Sequence, residues 1–115
     1  MSDTPMREPT FLVLTALADE PRHGYAVIED VAAMTGGRVR LRAGTLYAAL
    51  DRLRVEGLIE VDREEVVQSR LRRYYRLTGA GEQSLATETA RLRAQATIAE
   101  RRLQGRRARL GGATT

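Results

Sequence analysis

The stretch 43–57, AGTLYAALDRLRVEG, holds the residues whose types and spacing indicate a chemical role. Leu46, Leu50 and Leu53 recur at i, i+4 and i+7, which predicts one buried face of a short helix. Arginines lie around the rest of that helix, and residues 58–78 predict a two-stranded hairpin with an arginine-rich tip. A cationic helix followed by such a ribbon is typical of a winged helix-turn-helix that meets DNA. The alternative is an ordinary amphipathic helix beside a hairpin.

The distribution of charge favours the nucleic-acid interpretation. Residues 1–37 carry two arginines and six acidic residues, whereas residues 38–57 carry five arginines and two acidic residues. Residues 67–76 carry four arginines and no acidic residue. Every basic residue of the chain is an arginine, whose planar guanidinium suits phosphate and guanine edges. The pattern predicts a cationic face on the 43–57 helix and the hairpin tip, and the alternative is solvated arginines on two unrelated surfaces.

Composition argues against several other classes of protein. The length of 115 residues predicts one small domain. Because the chain has no cysteine, it can form no disulfide, no thiolate nucleophile and no cysteine-based zinc site. His23 is the only histidine and is expected to cap or pack rather than to catalyse. Without paired carboxylates in an apolar setting, we expect no enzyme, no metal and no cofactor. The N-terminus lacks an apolar leader and no run is long enough to span a membrane, so we expect a cytoplasmic protein.

Four helices and a hairpin are expected to position these residues, which gives a mainly α fold with a small β-wing. The predicted elements are helices over about 9–18, 25–34, 43–57 and 79–104, an extended or strand-like lead-in over 38–42, and strands over 58–62 and 72–78. Residues 19–24 predict a turn, 63–71 the wing loop, and Thr78 the N-cap of the last helix. The predicted domains are a winged helix-turn-helix over 1–78, a C-terminal dimerisation helix over 79–105, and a basic flexible tail over 106–115.

The last helix is too long to be covered by such a small domain. About 26 residues would span about 39 Å. Apolar and small side chains recur along it at heptad spacing, which predicts close packing against a second copy of the chain. The predicted dimer-interface residues are Leu85, Thr89, Leu92, Ala96, Ala99 and Leu103. The alternative, which does not exclude the dimer, is that this helix folds back on the first helix.

Four motifs, taken in order, make the chain resemble the PadR family of transcriptional regulators from about Phe11 to Leu103. They read His23-Gly24-Tyr25, Gly44-Thr45-Leu46-Tyr47, Glu56-Gly57-Leu58-Ile59 and Arg73-Tyr74-Tyr75. The resemblance to the short PadR subfamily implies that the single C-terminal helix builds a homodimer. The chain departs from the family pattern at Arg42-Ala43 and Ala48, where Ser-Pro and Pro often stand. Losing that serine removes an N-cap oxygen, and Arg42 adds a cation that favours a phosphate at the helix entry.

The expected DNA contacts come from the helix entry and the wing. Tyr47 is expected to reach a phosphate with its hydroxyl, although its ring is expected to lie partly in the core. Of the adjacent Tyr74 and Tyr75, one is expected to face the core and the other outwards. The predicted DNA-binding residues are Arg42, Thr45, Tyr47, Ala48, Arg52, Arg70, Arg72 and Arg73.

The resemblance also implies a possible effector pocket between the first and last helices at the dimer interface. The candidate lining residues are Phe11, Leu14, Leu92, Gln95 and Ala96. Small residues on the last helix leave space for a ligand or let the helices close tightly, and both alternatives stay open. Arginines at the rim favour an anionic or strongly polar ligand.

The sequence therefore predicts a dimeric regulator that binds double-stranded operator DNA with an inverted repeat and represses until a small molecule relieves it. The alternative is a winged-helix architectural or protein-interaction module without operator specificity. A third alternative is a small hydrolase or binding enzyme, but the sequence lacks the residues that such catalysis needs.

Overall fold

The computed structural model describes residues 5–112 and is mainly helical with one small antiparallel sheet, as predicted. The chain divides into two compact units, one up to Leu85 and one from Ala86. The elements are α1 (Glu8–Ala16), β1 (Arg22–His23), α2 (Gly24–Met34), α3 (Ala43–Val55), β2 (Ile59–Val67), β3 (Arg70–Leu77) and α4 (Gly79–Gly112). None of the helices among the described residues is long and apolar enough to cross a membrane.

The core of the first unit forms where α1, α2 and α3 meet. The predicted stripe of Leu46, Leu50 and Leu53 is completely buried. Val27 and Val31 of α2 are buried with it, and four of the nine residues of α1 are also buried. Burying a leucine side chain contributes about 1.5–3 kcal/mol, so the three leucines fix which face of α3 points inwards. The opposite face of α3 is thereby left to solvent.

The sheet has the strand order β1-β3-β2 and is antiparallel throughout. β2 and β3 form the wing, and their register runs from Ile59 opposite Leu77 to Val67 opposite Arg70, with an irregularity between Val61 and Arg63. Gln68 and Ser69 connect the strands, and both have positive φ (51° and 64°). Two such residues match the twist of a tight hairpin. The strands therefore continue through most of the expected 63–71 loop, which is reduced to this two-residue turn.

The strand β1 is a feature that the sequence prediction missed. Residues 19–24 were expected to form only a turn, yet Arg22 pairs with Tyr75 and His23 with Tyr74. A two-residue strand has no periodicity to recognise, and its partners lie about fifty residues further along the chain. The lead-in at 38–42 forms no strand and is extended or bent.

Three of the helix ends follow the predicted signals. Residue His23 caps α2, since its Nδ1 accepts a hydrogen bond from the Ala26 amide at 3.3 Å. Gly36 and Gly37 follow α2 with φ of 60° and 84°, left-handed values that glycine adopts without strain. Thr78 caps α4, because its Oγ1 accepts from the Gly81 amide at 3.0 Å. Arg42 stands before α3 without a side-chain cap.

The helix α4 is longer than expected. We expected it to end near 104 with a flexible basic tail over 106–115, whereas the helix continues to Gly112. Residues 113–115 of that tail lie outside the described residues. Arginine, alanine and leucine over 106–110 are good helix formers, and their propensity offsets the cost of about 1 kcal/mol for a glycine within a helix, here Gly105.

Candidate nucleic-acid interface

The recognition-helix candidate α3 presents a polar and cationic surface opposite its buried leucines. Thr45, Tyr47, Ala48 and Arg52 are all exposed, as the DNA-contact prediction requires. The exposed fraction of Tyr47 is 48%. The helix thus leaves the side chains of its first turns free to meet a ligand, the arrangement by which helix-turn-helix proteins contact base edges.

Tyr47 is positioned by a close approach to the start of α2. A Cβ atom on Gly24 would lie 2.5 Å from the Tyr47 hydroxyl oxygen and 2.7 Å from its Cζ. Only glycine leaves room for the ring at this point, since carbon atoms pack at about 3.5–4.0 Å. Gly24 is therefore a positioning residue for Tyr47, and the ring is part packed and part exposed, as expected. The His-Gly-Tyr motif pointed to a special role for Gly24, but the motif alone did not predict that Gly24 contacts Tyr47 of α3.

A groove of about 710 Å³ lies between α2, α3 and the wing. It brings Tyr47 together with three predicted wing residues, Arg70, Arg72 and Arg73. His23, Gly24, Tyr25, Asp51, Val67, Gln68, Leu71 and Tyr75 complete its lining. The other predicted contacts on or beside α3, Arg42, Thr45, Ala48 and Arg52, do not line this groove.

The arginines of the wing differ in what they bind. Arg73 Nε donates to Glu64 Oε2 at 2.8 Å, and Arg76 Nε donates to Glu60 Oε2 at 2.8 Å. These ion pairs raise the pKa of Arg73 and of Arg76 through hydrogen bonds to the carboxylates. By contrast, the guanidinium groups of Arg70 and Arg72 make no hydrogen bond or ion pair within the described residues 5–112. Glu65 lies opposite Arg72, and after Tyr74 and Arg63 the Arg72 charge also lowers the pKa of Glu65. The unpaired charge of the wing is therefore concentrated next to its turn.

The arginines at α3 also fall into two groups. Arg52 Nη2 donates to Thr10 Oγ1 of α1 at 2.9 Å, and its Nε lies 3.9 Å from Glu56 Oε2. Arg42 and Arg54 are exposed, and within the described part of the chain neither guanidinium group forms a hydrogen bond or an ion pair. Of the predicted DNA contacts, Arg42 at the helix entry and the two arginines next to the wing turn thus have their guanidinium groups free.

A cluster at the base of the wing holds the hairpin against α2. The His23 and Tyr74 rings meet edge to face at 5.3 Å, and the Arg63 guanidinium lies 3.8 Å from the Tyr74 ring centre. Tyr74 donates to Glu65 Oε1 at 2.8 Å, which with Arg63 holds the pKa of Glu65 below its usual value. Burial, and then the Arg72 charge, lower the pKa of His23. Tyr75 lies on the opposite face of the strand with an exposed fraction of 3%, so the prediction of one inward and one outward tyrosine is confirmed.

The residues predicted for dimerisation and effector binding are placed as follows. Along α4, Leu85 is half-buried against the core of the first unit, whereas Thr89, Leu92, Ala96, Ala99 and Leu103 are exposed in the single chain. Gln95 is exposed, Phe11 is half-buried, and Leu14 is completely buried within the core. Over residues 5–112, no three His, Cys, Asp or Glu side chains are grouped so that they could hold a metal ion.

Comparison with protein families gives a match over residues 13–87 to the transcriptional regulator PadR-like family. Transcriptional regulator Rv3488 of Mycobacterium tuberculosis is 36% identical over 76 residues, which are 66% of this chain and 67% of that protein. An uncharacterised 37.1 kDa protein of a Streptomyces fradiae transposon is 42% identical over 77 residues, and the match spans 67% of this chain but only 21% of that protein.

Solved structures share the fold. A PadR family regulator from Eggerthella lenta has a TM-score of 0.68 and 29% identity, covering 83% of this chain and 80% of that one. Bacillus subtilis PadR, crystallised with operator DNA, has a TM-score of 0.63 and 23% identity, covering 70% of this chain and 47% of that one. The family match spans more than half of the sequence and includes α2, α3, the wing and the start of α4. The chain therefore belongs to the PadR-like family of transcriptional regulators.

Proposed function

We propose that the protein is a cytoplasmic, sequence-specific repressor that binds an inverted-repeat operator as a homodimer and is released by a small-molecule effector. The observation that carries the DNA interaction is the set of unpaired guanidinium groups on one winged helix-turn-helix: Arg42 at the entry of α3, and Arg70 and Arg72 next to the wing turn. Unpaired arginines suit phosphates, because no internal ion pair has to break before they bind. Operator DNA in the Bacillus subtilis PadR crystal supports the same partner.

In this proposal α3 enters the major groove and the wing lies along the flanking backbone. Arg42 and the first turn of α3 would hold one phosphate, Tyr47 would present its hydroxyl to another, and Thr45 and Ala48 would face the bases. Arg70 and Arg72 would add contacts that are independent of sequence, whereas Arg73 would contribute less because Glu64 already binds it.

A selection of bound DNA fragments with the purified protein tests this function. We expect enrichment of an inverted repeat, with affinity for that duplex at least about a thousand-fold above random DNA at physiological salt. An architectural or protein-interaction module would bind all duplexes alike, or none. A ratio close to one would therefore contradict the proposal and favour that alternative.

Arginine substitutions separate contacts to bases from contacts to phosphates. Arg42→Ala and Arg52→Ala are each expected to weaken operator binding by about 1–3 kcal/mol if they contact bases. If Arg42 instead holds a phosphate, as proposed above, Arg42→Ala should weaken all duplexes equally. The Arg52 effect should be the smaller, because this side chain must first leave Thr10. Arg70→Ala or Arg72→Ala should weaken all duplexes equally and reduce the salt slope by about one. Arg101→Ala, which removes an exposed charge from α4, is the control. Unchanged binding in all four interface variants would contradict the assignment.

The dimer and the effector pocket are proposed from the heptad spacing of α4 and from the family resemblance. Two copies would present two α3 helices to half-sites one helical turn apart. The proposed effector site lies at the dimer interface along α4, near Leu92, Gln95 and Ala96. Leu14 does not line it, because this residue is completely buried in the core of the first unit. A calorimetric screen of anionic metabolites and flat cationic dyes tests the pocket, and tight binding of the dyes without any anion would contradict its proposed polarity.

A further inference from the structure

Asp51 is an acidic residue on the surface of α3 that meets DNA in the proposed function. Gly44, Ala48, Asp51 and Val55 are spaced i, i+4, i+7 and i+11, so they share the face opposite the buried leucines. Glycine, alanine and valine side chains carry no hydrogen-bonding atoms. Among these four residues, Asp51 alone offers a side chain that can recognise a polar group.

The carboxylate of Asp51 is not occupied by any internal partner. The residue is exposed, and within residues 5–112 its carboxylate forms no hydrogen bond and no ion pair. It lines the 710 Å³ groove with Tyr47 and the wing arginines. It also lines a second groove of about 480 Å³, which it shares with Arg54 and Val55 of α3 and with residues of β2. Three wing arginines, Arg70, Arg72 and Arg73, thus line the same groove as Asp51, and none of them forms an ion pair with it.

A free carboxylate in the middle of a cationic DNA surface opposes contact with phosphates. Two like charges in contact repel even in bulk water, and they repel more strongly at a partly desolvated interface. Such a group is compatible with tight DNA binding only where it meets a hydrogen-bond donor. An ionised carboxylate accepts hydrogen bonds and donates none. It therefore suits a base edge that offers a donor.

The major groove offers two such donors, the N4 amino group of cytosine and the N6 amino group of adenine. Adenine also presents N7, an acceptor that would face the second carboxylate oxygen unfavourably. Cytosine has no such acceptor, and acidic side chains accordingly pair with cytosine N4.

We propose that Asp51 is a specificity-determining residue that accepts a hydrogen bond from one cytosine in each operator half-site. The proposal rests on the proposed DNA-binding function and deepens it. The same charge lowers affinity for random DNA, where the donor is usually missing and phosphates lie close. Asp51 therefore widens the ratio between operator and random DNA in two ways.

The test is a selection of bound sequences from a random library with the full-length protein and its Asp51→Asn and Asp51→Ala variants. The wild type should select cytosine at one position in each half-site. Asparagine pairs with adenine N6 and N7, so Asp51→Asn should select adenine at that position, and Asp51→Ala should lose the preference. Both variants should bind the wild-type operator about ten-fold more weakly and random DNA more tightly.

Asp19→Asn is the matched control, because this substitution makes the same chemical change at an exposed position outside α3. Asp19 lies between α1 and β1, where it pairs with Arg22. It should leave the selected sequence unchanged. Circular dichroism and thermal unfolding check that each variant folds, which is expected because Asp51 has no internal partner. A wild type without any selected sequence would overturn the proposed function itself. A selected sequence that stays the same in both Asp51 variants would overturn only the role of Asp51.

Discussion

Replacing Gly24 by alanine tests whether the start of α2 positions Tyr47 in the interface. The new Cβ would lie 2.5 Å from the Tyr47 hydroxyl oxygen, so the ring must move by about 1 Å to restore ordinary contact. Gly24 is not among the glycines with positive φ, so its backbone accommodates alanine. The substitution therefore tests the space occupied by Tyr47 and not backbone strain.

Two opposing effects set the magnitude. Overpacking costs about 1–3 kcal/mol in a closed core, and less here because the Tyr47 ring is 48% exposed and its far end can move. Alanine gains up to about 1 kcal/mol over glycine in a helix, although less in the first turn. We expect Gly24→Ala to lower the free energy of unfolding by no more than about 1 kcal/mol. In a Tyr47→Ala background the clash is absent, and the same change should raise it by up to about 1 kcal/mol.

Urea unfolding of the four proteins at one protein concentration gives the coupling energy between the two sites. Titration with operator DNA should show that both Gly24→Ala and Tyr47→Ala lower the affinity below that of the wild type, and that the decrease is smaller for Gly24→Ala. If Gly24→Ala were as stabilising with Tyr47 present as without it, the ring would not occupy this space, and the positioning role of Gly24 would be refuted.

Three further predictions concern assembly, pH and packing. Leu92→Glu should convert the proposed dimer to a monomer in sedimentation and abolish cooperative operator binding, since an unpaired carboxylate is costly in an apolar interface. A variant that stayed dimeric would show that the interface lies elsewhere. The folded protein lowers the pKa of His23 and so favours the neutral imidazole. The resulting stability is fully present above pH 6.5, the ordinary pKa of the side chain, and it should be lost as the pH falls through the pKa of the folded state. Thermal unfolding at pH 7.5 and 5.5 should show that loss in the wild type, and a smaller one in His23→Asn, which keeps a capping side chain. Gly81→Ala would place a Cβ 2.0 Å from the Leu58 carbonyl oxygen, so it should destabilise the first unit by about 1–3 kcal/mol in urea unfolding, and an unchanged midpoint would mean that the wing and α4 do not pack this closely.

Local signals were sufficient to predict much of the fold. The spacing of Leu46, Leu50 and Leu53 identified α3 and its buried face, because helical periodicity is a property of neighbouring residues. The cap at Thr78 and the buried member of the tyrosine pair followed from equally local rules. The end of α4 did not follow from local rules. The glycines at 105 and 111–112 are typical of a helix end, although the residues between them favour a helix.

Features that depend on distant pairing could not be predicted. The sequence predicted four available arginines over 67–76, whereas the register of β2 and β3 sets a glutamate opposite three of them, and two of these, Arg73 and Arg76, form ion pairs. The sequence therefore predicted a cationic wing, but not that its free charge is concentrated next to the turn. The contact between Gly24 and Tyr47 is of the same kind, since it joins two helices through space.

Arginine-specific modification with phenylglyoxal, read by mass spectrometry with and without the selected operator, tests the proposed interface most directly. Apart from His23, every basic side chain of this protein is an arginine, so one reagent surveys all of its guanidinium groups. We expect DNA to protect Arg42, Arg70 and Arg72 several-fold, while Arg101 and Arg107 of α4 react equally in both samples. Equal reaction of the first three residues in the presence of bound operator, with protection elsewhere, would contradict the assignment of α3 and the wing as the DNA interface.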